Sequence, residues 1–116
     1  MRVRWLLRCE GLVVASASAT AYFHAGYPWW LLVALLLAPD VAMVAYLRGP
    51  RVGATFYNAA HTYVGPLILL TIGFTEDVRT VSELSLIWAL HIGADRLLGY
   101  GLKYASEFKD THLQRV

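Results

Sequence analysis

A single cysteine, Cys9, in 116 residues excludes an intramolecular disulfide and any metal knot built from several cysteines. Arg8 precedes it where a small residue would be needed, which excludes a lipid-attachment cysteine of the usual bacterial kind. Charge is scarce: 16% of residues are Asp, Glu, Lys or Arg, against 58% hydrophobic residues. That is too little polar cover for an ordinary soluble domain of this length, whose surface is large relative to its volume. The net charge of +2 is modest and the basic residues form no continuous stripe, so nothing tracks a phosphate backbone and nucleic acid is excluded as a partner.

What the chain does have is apolar length. A bilayer core needs about 20 apolar residues per helix. Four windows supply it: Trp5 to Phe23, Pro28 to Leu47, Val52 to Phe74, and Val81 to Tyr104. The fold class expected is an all-α integral membrane four-helix bundle, one domain over 1–116 with a tail at 105–116. The links carry turn chemistry: His24 to Pro28, Arg48 to Arg51, and Thr75 to Arg79. Short links make sequential helices antiparallel neighbours.

The first window, ending in Ala15-Ser-Ala-Ser-Ala-Thr-Ala21, imitates a secretory signal, but Arg8 and Glu10 interrupt what would have to be an unbroken apolar stretch. The small residues serve packing instead. Ser16 and Thr20, or Ala15 and Ala19, lie one turn apart and let a neighbouring backbone approach.

Basic residues set the orientation. Arg2, Arg4 and Arg8 precede the first span, Arg48 and Arg51 sit in the second link, and Lys103, Lys109 and Arg115 follow the fourth span. The positive-inside rule then puts both termini in the cytoplasm of a cell whose inner membrane holds the protein, with lipids as partners. Four short helices enclose little volume, so a homo-oligomer is expected.

Asp40, His61, His91 and Asp95 stand inside these apolar windows, and ionisable groups at membrane depth mark function by default. At 1.5 Å per residue, Asp40 lies about 12 Å from Arg48, His61 about 15 Å from Arg51, and Asp95 and His91 about 12 and 18 Å from Lys103. One layer in the cytoplasmic half holds all four. Asn58 and Glu10 border it as second-shell candidates, together with Arg96, and Arg51 and Lys103 are candidate headgroup or anion contacts. His91 and Asp95 are four apart, and Asn58 and His61 three apart, so each pair shares a helical face. Pro39 frees a carbonyl one turn before Asp40, and Pro66 does the same in the third span.

Four readings of these residues stand side by side. They are structural glue, with Asp95 or Asp40 paired to Arg96 or Arg51 and the histidines bonded across helices. They are a divalent metal site for Zn, Mn or Fe, with His61, His91, Asp95 and Asp40 as ligands, and with Glu10 or Asp40 moving a proton in hydrolysis of a lipid or another apolar ester or amide. They are protonation sites of a small oligomeric carrier with movable half-helices. Or the chain is an interaction subunit without chemistry, using its tail, where Asp110 and His112 are also candidates to close the site. Gly99-Tyr-Gly101 lacks the Thr-Val pair of a potassium filter and loosens the end of the fourth helix so that Lys103 reaches lipid.

The strings Ala38-Pro-Asp40, Gly49-Pro-Arg-Val-Gly53, Tyr57-Asn-Ala-Ala-His-Thr-Tyr63, His91-Ile-Gly-Ala-Asp-Arg-Leu-Leu-Gly-Tyr-Gly-Leu-Lys-Tyr104 and Phe108-Lys-Asp-Thr-His-Leu113 carry a resemblance. Together they resemble a domain-of-unknown-function family of small bacterial four-helix integral membrane proteins. The resemblance implies bacterial origin and a cytoplasmic-membrane location, includes the tail motif, and brings no activity with it.

Overall fold

A computed structural model describes residues 3–101, apart from the side chains at 42, 43, 45 and 46. All its regular elements are helical: α1 (Val3–His24), α2 (Trp29–Leu35), a 3₁₀ segment (Ala38–Arg48), α3 (Pro50–His61), α4 (Val64–Thr75) and α5 (Arg79–Leu98). The tail at 105–116, with Asp110 and His112, lies outside the described residues, as does Lys103.

The first and fourth apolar windows each form one long helix, α1 and α5, and these pack along one another. Gly11, Ala15, Ser18 and Tyr22 are the buried face of α1, at the three-and-four spacing of a single stripe. Ala15 belongs to it, whereas Ser16 and Thr20 are exposed, so the close approach uses a face rotated from the expected Ser16/Thr20 pair. Its tightest point is between two glycines. A Cβ on Gly93 would stand 2.7 Å from both the Ala15 nitrogen and the Gly11 carbonyl oxygen, and one on Gly11 would meet the Arg96 Cβ at 2.5 Å. Only hydrogen fits there.

The second and third windows are each divided. Residues Leu36 and Leu37 separate α2 from the 3₁₀ segment, and Thr62 and Tyr63 separate α3 from α4. Both breaks lie just upstream of a proline, as the missing N–H of Pro39 and Pro66 requires. After the first, the Asp40 N–H bonds the Leu37 carbonyl at 3.0 Å, which closes a three-residue turn and starts the tighter helix. At the second, Thr62 takes an extended conformation, ψ 149°. Among the described residues, no helix is long and apolar enough by itself to cross a membrane.

Packing centres on α5, which contacts α1, α4 and the 3₁₀ segment, while α3 lies against the 3₁₀ segment. Tyr22, Leu86 and Ile87 form a buried cluster against which Tyr27, Leu31, Leu32, Leu35 and Leu70 pack. The Tyr22 hydroxyl donates to the Pro28 carbonyl at 2.6 Å and so fixes the first link. At its other end α5 stops in a left-handed turn: Gly99 has φ 98°, its N–H bonds the Arg96 carbonyl, and the Tyr100 N–H bonds that of Asp95. The Arg8 Nε–H donates to the Leu97 carbonyl at 2.7 Å, tying α1 to that terminus.

Candidate metal centre

Three elements deliver four side chains to one point. Asp40 comes from the first turn of the 3₁₀ segment, His61 from the last turn of α3, and His91 with Asp95 from adjacent turns of α5. His61 Nε2 and His91 Nε2 are 3.0 Å apart. Asp40 Oδ1 lies 3.0 Å from the first and 3.1 Å from the second, and Asp95 Oδ2 lies 3.5 and 3.2 Å from them. All four ligand atoms fall within 4.8 Å of one another. Ligands at about 2.0–2.2 Å from a tetrahedral zinc stand about 3.3–3.6 Å apart, so this spacing suits one ion with little adjustment.

The outer side of the His61 ring decides what faces inward. His61 Nδ1 lies 2.9 Å from the Tyr57 carbonyl oxygen, and a carbonyl only accepts, so that nitrogen carries the proton. With that Nδ1–H spent on the backbone, the His61 ring turns its Nε2 lone pair toward the His91 ring and two carboxylates. Two imidazolium rings would set like charges 3.0 Å apart, whereas one divalent cation answers both nitrogens and both carboxylates at once. The Tyr57 ring stacks on His61 at 3.8 Å and 7°, which fixes the plane of the imidazole.

The break between α3 and α4 exposes carbonyls, and α5 supplies their partners. Trp88 Nε1–H donates to the Ala60 carbonyl and the Arg96 guanidinium donates to that of His61 at 3.2 Å. Protein groups thus saturate the irregular backbone there. The histidines themselves are sealed, with side chains 3% and 4% exposed, whereas those of Asp40 and Asp95 are 32% and 21% exposed. Access is therefore from the carboxylate side.

Residues 4–116 match the family model described as "Domain of unknown function (DUF4260)". The chain belongs to the DUF4260 family. No curated protein and no solved structure matches it.

In this DUF4260 chain the fold brings Asp40, His61, His91 and Asp95 into one cluster, which matches the layer read from the sequence. Glu10 is elsewhere: it is exposed on α1, with its charge felt at Arg96 and Tyr63. Arg96 is buried, bonds the His61 carbonyl and lies over the Tyr63 ring at 5.3 Å, so it acts behind the cluster as a positioning group. Asn58 is half-buried on α3, and the bond that orients His61 comes from Tyr57. Arg51 is exposed at the first turn of α3, ten residues before His61 and about 15 Å along the helix. The sequence reading missed Tyr57 and Trp88. Tyr57 was findable, since it lies four residues before His61 and therefore on its face. The other buried acid of α5, Glu83, is paired with Arg79 at 2.6 Å and stands apart from the cluster.

Proposed function

We propose that this protein is a membrane-embedded divalent-metal enzyme of the bacterial inner membrane, hydrolysing an ester or amide bond. The carrying observation is the convergence of two imidazole Nε2 atoms and two carboxylates on one point, with the Nδ1–H of His61 turned outward to the Tyr57 carbonyl. His61, His91 and Asp95 are the ligands in this reading. Asp40, the most open of the four side chains, is a fourth ligand or the base that takes a proton from water. A bound ion supplies Lewis acidity and an activated water. Hydrolysis adds hydroxyl to the acyl carbon and a proton to the leaving atom, with no change of oxidation state.

Membrane placement is supported by the surface. Trp29, Trp30, Leu37, Leu47, Val64, Leu67 and Phe74 are large apolar side chains that are all more than half exposed, on α2, the link after it, the 3₁₀ segment and α4. So much exposed apolar area on a chain of this size calls for lipid tails or neighbouring copies as cover. Basic residues at both ends of the sequence and in the second link assign the termini to the cytoplasm. A carrier reading asks the broken helices to move, and the side chains of α5 that saturate the break between α3 and α4 favour a fixed site instead.

Protein purified in mild detergent without chelator is expected to contain about one equivalent of zinc, manganese or iron, and the His61→Ala/His91→Ala double variant none. Wild type without metal, even after incubation with each ion, overturns the metal centre.

A further inference from the structure

A cavity of about 400 Å³, within the range of small-molecule sites, opens beside the His/Asp cluster. Its walls are apolar, including Leu35, Pro39, Ala60, Leu69, Leu84 and Trp88. Two of these adjoin ligand candidates in the chain, Pro39 beside Asp40 and Ala60 beside His61. On α5 the cavity and the cluster share one stripe: Leu84, Ile87 and Trp88, then His91 and Asp95, at three-and-four spacing. From His91 to Leu84 the stripe runs about 10 Å toward the α5 N-terminus. The indole N–H of Trp88 is already spent on the Ala60 carbonyl, so the walls present almost entirely hydrocarbon to an occupant.

We infer that this cavity holds the linear acyl chain of an amphiphilic substrate, with its ester or amide head at the cluster. This rests on the metal reading for the head and stands separately for the tail. A polar ligand would lose its hydration against these walls without recovering a hydrogen bond. A chain ending in a carbonyl meets both demands, one of them at each end of the stripe. In the orientation set by the basic residues, α5 runs from the outer face inward, so the tail points away from the cytoplasmic face. An inner-leaflet acyl chain has that direction.

The test is photolabelling of the full chain in detergent with lauroyl hydroxamate carrying a diazirine at the end of its chain, read by peptide mass spectrometry. Labels are expected on α4 and α5 at Leu69, Leu84 or Trp88. Lauroyl hydroxamate should compete and acetohydroxamate should not, and Leu84→Trp should abolish the label while metal content is unchanged. Leu69→Trp is the second filling variant should the first fail to fold. Labels spread over the exposed Val33, Val64 and Phe74, and indifferent to the filled cavity, overturn the acyl site even if metal is bound. Should the protein carry no metal, diazirine-bearing lauric acid replaces the hydroxamate. Labels at the same three residues, removed by Leu84→Trp, then uphold the acyl site while the metal reading falls, and scattered labels overturn it.

Discussion

The imidazoles of His61 and His91 meet Nε2 to Nε2 at 3.0 Å, and the first is held in that pose from behind by the Tyr57 carbonyl. They come from elements thirty residues apart in the chain, so the meeting is a product of tertiary packing. What the His61 ring can do is set by the nitrogen it does not show.

Metal is expected to bind stability to this pair. A ligand that binds only the folded protein stabilises it by about 2.7 kcal/mol when present at a hundred times its dissociation constant. Thermal melts in detergent should therefore rise on addition of the native ion and fall with chelator, and the double histidine variant should respond to neither. Acid should erase the gain, because protons compete for Nε2 and for the carboxylates, so the stabilisation is present at neutral pH and lost as pH falls.

Asp40→Asn separates binding from chemistry. If Asp40 takes the proton from water, the asparagine variant keeps its metal, by elemental analysis, and loses about 10²–10⁴ in hydrolytic rate on an acyl ester. Proton flux in liposomes should be absent from wild type and variant alike. Flux in wild type that Asp40→Asn abolishes would instead establish the carrier.

Trp88 and Tyr63 make opposite predictions for the loss of one polar group. Trp88→Phe strands the Ala60 carbonyl and should destabilise by about 1–3 kcal/mol. The Tyr63 hydroxyl is buried and finds no hydrogen-bond partner among the described residues. Tyr63→Phe should leave the melting temperature unchanged or raise it.

At the α1–α5 contact, Gly93→Ala places a methyl against the backbone of Ala15 and Gly11. Neither neighbour is a flexible side-chain end, so the helices must part, at a cost of about 1–3 kcal/mol read from denaturation in mixed micelles. Gly26→Ala, where a Cβ has open space but φ is 79°, should cost less, through backbone strain alone.

Topology is open to a direct check. Reporter fusions at the C-terminus should be active only for a cytoplasmic reporter, and a periplasmic signal would overturn the inner-leaflet direction assigned to the acyl site.

The meeting of the four side chains was legible in the sequence and the rotation of α1 was not. Counting from flanking arginines and lysine placed Asp40, His61, His91 and Asp95 in one layer because rise per residue is nearly constant along a helix, and the cluster tolerates an error of a turn. The rotation of α1 has no such marker. Beyond Glu10 its residues are apolar or small on nearly every side, so the Ser16/Thr20 face looked as suitable as that of Ala15 and Ala19. The prolines announced both breaks. Their repair was hidden, because the partner of a freed carbonyl comes from another element, and no local pattern ties Trp88 to Ala60 or Arg96 to His61.

The repair of the second break by α5 also sets an order of assembly. The segment that α5 completes precedes it in the chain, so during synthesis the Ala60 and His61 carbonyls await their donors, and of the four clustered side chains only Asp40 and His61 have been made. The cluster is therefore finished in a single event, the docking of the last helix.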